Sequence, residues 1–218
     1  MIQVEKRLKE AKDAFISNVI KDESFRDSVY LAGGCIRDLI SGVEPKDWDL
    51  YCVDEATAVK LRRVLSKNIS FNNNGNFDWL DYASNYRFNI ICNKEFCVSP
   101  EDLIKEFNFT CNMNYFHDNK LVTKYLPDIM YKSLVFNRSS SYPLGCLVKL
   151  PRMQEIGYVV PEKEMFAMLG KVLILNIQTQ EDFIKNCPNI SNGVVAWQTR
   201  LPTAAEWFKT TGLGKELF

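Results

Sequence analysis

The chain has 218 residues, 46% of them apolar and 12% aromatic, which suits one domain, or one with a small appendage, and excludes disorder. Twenty-seven basic residues balance 27 acidic ones, which excludes a polybasic protein whose whole surface grips nucleic acid. The N-terminus is charged through Glu10 and no apolar run approaches a bilayer crossing, so the expectation is a soluble, cytoplasmic protein without membrane contact.

Residues 3–20 place Val4, Leu8, Ala11, Phe15, Val19 and Ile20 at helical spacing, which predicts an amphipathic helix packed on a core. Val29 to Ala32 reads as a buried strand broken by Gly33-Gly34, and Cys35 to Ser41 as a short helix closed by Gly42. Trp48 to Val53 is a second strand. Asp54 then caps a helix over 55–67 with an inner stripe of Ala58, Leu61, Val64 and Leu65. Asn72 to Asn76 reads as a turn, and Tyr86 to Cys92 as a third strand with Phe88 and Ile90 alternating against Arg87 and Asn89. Ser99-Pro100 starts a short helix through Lys105, with serine as cap and proline at the first helical position. Residues 109–126 predict a β-hairpin around His117 to Asn119, and helices follow at about 142–156, 162–175 and 180–186. The predicted class is α+β, a small mixed sheet with flanking helices followed by a short all-α region. The boundary falls between 1–140 and 141–218.

Seven scattered cysteines, odd in number and without a C-x-x-C pair, fit a reducing compartment and neither a disulfide framework nor a zinc site. His117 is the one histidine, and its place in Phe116-His117-Asp118-Asn119-Lys120 predicts an exposed loop residue. The count leaves chemistry to carboxylates, lysines, arginines and metals. The zero net charge conceals a gradient: residues 1–54 hold 8 basic and 11 acidic side chains, and residues 111–218 hold 12 and 9.

The informative segment runs from Leu31 to Val53. A buried strand ends in two glycines and a helix begins directly after them. Glycines there allow an anion close to the backbone, and the helix start offers unpaired N–H groups to phosphate. Arg37 lies one turn into that helix, where a guanidinium can clamp phosphate oxygens. The next strand opens with Asp47-x-Asp49, and positions i and i+2 of a strand share a face. Singly, each piece has a plain structural explanation as a tight turn, a surface pair or a solvated strand end. Joined in this order, they predict a Mg2+ site at Asp47 and Asp49 beside a phosphate cradle at Gly33 and Gly34, as nucleotidyl transfer requires.

The spacing G-G-x-x-R-D-x-x-x-G-x-x-x-x-D-x-D, carried by Gly33, Gly34, Arg37, Asp38, Gly42, Asp47 and Asp49, resembles the head domain of class II CCA-adding enzymes and bacterial poly(A) polymerases. These belong to the polymerase-β-like nucleotidyltransferase superfamily. Phe107 to Asn112 resembles the family's R-R-D-F-T-I-N, and Tyr142 through Tyr158 its D-P-L-R…L-G-F helix, so the likeness covers about residues 28–160. It implies nucleotide contacts at Gly34 and Arg37, magnesium at Asp47 and Asp49, an NTP substrate, and an RNA 3′ end, tRNA-like or other, as acceptor. The chain departs from the pattern with Glu106-Phe107-Asn108 for R-R-D, with Tyr142 and Gly145 for the base-reading Asp and Arg, and with no acid near Arg87 to Asn89 for the third carboxylate. Tyr142, Pro143, Leu147, Lys149, Arg152, Gly157 and Tyr158 are more similar to short single-head proteins of phage and plasmid genomes. Lys149 and Arg152, three apart, share a helix face and either meet phosphate or RNA backbone or form a solvated face. The aromatics Phe71, Phe77, Trp79, Tyr82 and Tyr86 receive no role.

The expected function is Mg2+-dependent transfer of a nucleoside monophosphate from an NTP to an RNA 3′ end or another hydroxyl. Two alternatives stand beside it: a catalytically degenerate nucleotide- or RNA-binding regulator from a mobile element, and nucleotidylation of a partner protein in the manner of antitoxin-type members of the superfamily.

Overall fold

The computed structural model describes residues 1–67, 77–82, 84–140, 142–179 and 182. Helix α1 (Ile2–Ala14) turns Leu8 and Ala11 inward and continues without a break as a π-helical turn over Phe15–Ile20. The wider turn buries the adjacent Phe15 and Ile16 together before Lys21 ends it at φ 57°. The predicted helix over 3–20 is thus present with its last stretch widened.

A six-stranded sheet has the order β3-β4-β2-β1-β5-β6, with strands β1 (Val29–Ala32), β2 (Trp48–Cys52), β3 (Phe77–Asp81), β4 (Tyr86–Ile91), β5 (Asn114–His117) and β6 (Lys120–Thr123). Every neighbouring pair is antiparallel except β2 and β4, which run parallel. The strand period of two sorts the side chains. Val29, Leu31, Trp48, Leu50, Phe88 and Ile90 face one core together with α1, α2 (Gly34–Ile40) and α3 (Glu55–Leu65). Tyr30, Ala32, Tyr51 and Ile91 face the other way, onto Leu103, Ile104 and Phe107 around the short helix α4 (Pro100–Leu103). Both predicted caps are formed: Asp54 Oδ1 accepts from Thr57 N–H at 2.7 Å, and the Ser99 hydroxyl accepts from Asp102 N–H at 3.2 Å.

The third core is formed by Phe109, Cys111, Ile129, Leu134 and Phe136 against Cys146, Met153, Tyr158 and Met168. It joins α5 (Leu126–Met130), α6 (Pro143–Glu155) and α7 (Glu162–Ile174). Residues on both sides of position 140 therefore share one apolar interior.

Three local expectations change. Strand β3 was not predicted; it pairs with β4 at the sheet edge. The hairpin is shorter than 109–126, because Thr110–Asn112 forms a 3-10 turn before β5 begins. His117 is not an exposed loop residue: it ends β5, its Nε2 lies 2.9 Å from the Asp27 carbonyl, and its ring abuts Tyr30. Asp118 and Asn119 alone make the turn, both at positive φ, which Asn and Asp tolerate best among side-chain-bearing residues. The turn at 72–76, the helix at about 180–186, Phe71, Trp197 and Trp207 lie outside the described residues. No helix among the described residues is long and apolar enough to cross a membrane.

Candidate active site

Strand β1 runs into Gly33, whose φ of +87° and ψ of −132° suit glycine alone. A Cβ at Gly33 would lie 3.5 Å from the Phe107 ring and 3.9 Å from Asp49 Oδ2, so the backbone bend and the carboxylate are neighbours. The Gly33 N–H is already committed to the Asn114 carbonyl at 3.0 Å, while the N–H groups of the α2 first turn follow directly behind it.

Asp49 lies in β2 between Trp48 and Leu50, both turned to the helical core, so its carboxylate takes the opposite sheet face. The register of the parallel pair sets Asp49 directly beside Asn89 of β4, and Asn89 Nδ2 donates to Asp49 Oδ1 at 3.0 Å. The position at which the family resemblance implies a third carboxylate is thus occupied by an amide. Asn89 Oδ1 is buried and receives no hydrogen bond. Burial pushes the Asp49 pKa up to about 7; the Asn89 amide opposes the shift, the negative charge of Asp47 adds to it, and Lys149 and Arg37 oppose it from farther off. Asp47, half-buried, immediately precedes β2 and shares that face with Asp49.

Arg37 is 7% exposed and its guanidinium folds back against Gly34, 3.6 Å from where a Cβ would stand. Its Nε donates to Asp38 Oδ1 at 2.8 Å and its Nη1 to Asn112 Oδ1 at 2.9 Å, with Met153 Sδ at 3.5 Å and the Tyr158 ring 6.0 Å away. It is a fixed positive charge beneath the glycines. A swinging clamp is not what these bonds permit.

The two cations expected on one helix face part company. Lys149 Nζ donates to Asn108 Oδ1 and acts electrostatically on Asp49, so it belongs to the carboxylate side. Arg152 lies along a cleft with Arg37 and Asp38. Asn108, 7% exposed, stands where the resemblance has an acid. Its Nδ2 donates to Ser140 Oγ at 3.0 Å and to the Tyr142 carbonyl at 3.1 Å, tying the Phe107 segment to the start of α6. The sequence singled out neither Asn89 nor Asn108 as functional. The signal for Asn89 was its alternation opposite Phe88 and Ile90, which put it on the carboxylate face.

Among the described residues no group of three or more His, Cys, Asp and Glu side chains could hold a metal ion. The donor set on offer is therefore the Asp47 and Asp49 carboxylates, with the Asn89 amide turned nitrogen-first toward Asp49. The carboxylates are hard oxygens, as Mg2+ prefers, and Asp49 lacks a full counter-charge. The residues fit the ion.

Comparison with solved structures places the fold. The chain matches a CCA-adding enzyme in complex with CTP at 13% identity and a TM-score of 0.59, over 84% of this chain and 48% of that one. It matches the Thermotoga maritima CCA-adding enzyme complexed with tRNA at 12% identity and 0.56, over 94% and 54%. A tRNA-processing enzyme in an apo form matches at 14% and 0.55, over 99% and 58%. At such identities the likeness is one of fold, and the chain spans about half the length of these structures. No curated protein matches the chain. The model of the Gad2 family, described as Gabija anti-defense 2 family protein, matches residues 6–132. A match over more than half of the sequence settles the family: this chain, a CCA-adding-enzyme-like nucleotidyltransferase head in fold, belongs to the Gad2 anti-defense family.

Proposed function

We propose that the chain is a Mg2+-dependent nucleotidyltransferase, moving a nucleoside monophosphate from an NTP to a hydroxyl acceptor, and that the anti-defense role named for its family is exercised through that transfer on a component of the Gabija system. The observation that carries the reading is Asp49: a half-buried, undercompensated carboxylate, 3.9 Å from the Cβ position of a glycine whose backbone suits glycine alone, with the Asn89 amide beside it. Asp47 and Asp49 would hold Mg2+, which would supply charge neutralisation at the triphosphate and lower the pKa of a bound hydroxyl. Gly33 and Gly34 leave room for phosphate against the backbone. Arg37 and Lys149 add positive potential from fixed positions, where the low dielectric strengthens it. The division into a head over 1–140 and a helical neck over 141–218 belongs to the same proposal, with the nucleotide between them.

The test is pyrophosphate release from labelled NTPs with Mg2+ in the presence of RNA, nucleotides or Gabija proteins. Release is expected for the parent chain and lost, by at least about a thousandfold, in Asp47→Ala. RNA carrying the label supports a 3′-end acceptor; labelled protein supports nucleotidylation. Tight NTP binding without release under any acceptor favours the second reading, a degenerate binder, for which the amides at Asn89 and Asn108 speak.

Asn89→Asp should place a third carboxylate beside Asp49. The expected result is Mn2+ affinity raised about tenfold or more, read by titration of the ion's EPR signal. Unchanged affinity would mean that Asn89 does not border the ion.

A further inference from the structure

On the outer side of α2, a cleft of about 90 Å3 opens where the loop leading to β2 faces Lys132 and the last turn of α6. Four cations and two carboxylates line it. Two pairs cancel: Arg37 Nη2 lies 2.6 Å from Asp38, and Glu44 is taken by Arg7 of α1 at 2.7 Å. Burial raises the Asp38 pKa, and the guanidinium beside it opposes the shift. Lys46, Lys132 and Arg152 remain without an ion-pair partner among the described residues. Lys132 Nζ donates to the Ile156 carbonyl at 2.9 Å, a neutral acceptor that leaves its charge uncompensated. Lys46 and Arg152 make no hydrogen bond among the described residues.

Two hydroxyls complete the lining. Tyr158 is 3% exposed, and its hydroxyl and Ser41 Oγ are both buried without a formed hydrogen bond, although the two approach one another. Buried hydroxyls rarely stay unbonded, and the three cations left without a carboxylate partner around them select an anion with several oxygens. Guanidinium and ammonium donors meeting at one concavity, with two buried hydroxyls behind them, are the donor set for a phosphate dianion.

We propose that this cleft binds a phosphomonoester, and that the group is carried by the acceptor of nucleotidyl transfer. The anion site rests on the cleft alone; its service to the acceptor rests on the transfer reading. Arg37 links the two places, its guanidinium lying against Gly34 on one side and lining the cleft on the other. A terminal phosphate held there would anchor the acceptor beside the carboxylates.

The experiment measures binding of a short oligoribonucleotide with a 5′-phosphate, and of the same strand with a 5′-hydroxyl, by fluorescence anisotropy on the full chain. The phosphorylated strand should bind at least about tenfold tighter, and the preference should vanish when Lys46 and Arg152 are both replaced by Glu. Tyr158→Phe should reduce the preference while the melting temperature holds within a few degrees. Competition by CMP as strong as by the phosphorylated strand would assign the phosphate to a free nucleotide; weak competition would assign it to an RNA end. Equal binding of both strands, or a preference that survives the double substitution, overturns the proposal. Pyrophosphate release, measured alongside, keeps the two readings apart. Loss of the preference with release intact removes only the cleft, whereas a preference with no release under any acceptor removes the acceptor role and leaves the anion site.

Discussion

Asp49→Asn should melt about 4–8 °C above the parent chain at pH 8 without metal, and no higher than the parent at pH 4. Burial has raised the Asp49 pKa to about 7, against about 3.9 for the unfolded chain. The folded state therefore holds a proton that the unfolded state releases. Stability from this group is full below pH 4, declines as pH rises between those values, and is lost above pH 7. The full shift corresponds to about 4 kcal/mol; Asp49 keeps some solvent contact, which brings the expected gain to about 2 kcal/mol. Saturating Mg2+ should reverse the order, raising the melting point of the parent and not of the variant. The same substitution should cost transfer at least about a thousandfold. A variant that is no more stable than the parent at pH 8 would show that the site is not preorganised for a cation.

Glu164→Ala should lower the urea-unfolding free energy by about 2–3 kcal/mol. Glu164 is 3% exposed on α7, and Oε2 accepts the Phe136 N–H at 3.0 Å. Arg138 binds both carboxylate oxygens, with Nη2 at 3.1 Å from Oε1, and its guanidinium lies over the Phe136 ring. Arg138 is half exposed, so the charge pair itself contributes little. The loss comes from a buried N–H left without an acceptor. Glu164→Gln keeps an acceptor and should lose about 1 kcal/mol. The Arg138 hydrogen bond holds the Glu164 pKa below its usual value, so the parent's advantage over Gln is present at neutral pH and fades as pH falls through that lowered value. A midpoint for the Ala variant equal to the parent's would refute the argument.

The strand–glycine–helix–strand order was legible because each piece carries its own signal: an apolar run, two glycines, a capped helix, an alternating strand. What stayed hidden depended on distant partners. In β3 the inward positions are Phe77, Trp79 and Asp81, and the buried acid, which takes Asn18 Nδ2 at 2.8 Å and the Ser84 hydroxyl, breaks the apolar alternation. Pairing with β4 is what makes that stretch a strand. The adjacency of Asp49 and Asn89 likewise needs the register of two parallel strands 40 residues apart, which no local pattern encodes. Arg37 was legible as a cation near phosphate, but its bonds to Asn112 and Met153 come from segments that only folding brings together.

The shared interior across position 140 has a consequence for how substrates come and go. Phe109 and Phe136 on one side and Cys146, Met153 and Met168 on the other are each at most 5% exposed. Swinging α6 and α7 away from the segment between Phe109 and Phe136 would bring all of this surface into water at once, at about 25 cal/mol per Å2. Among the described residues the segments before and after position 140 are therefore held as one body, and Asp49, which keeps some solvent contact in this packing, is reached without parting them. An inhibitor of this protein would do better to fill the space beside Asp49 than to wedge these segments apart.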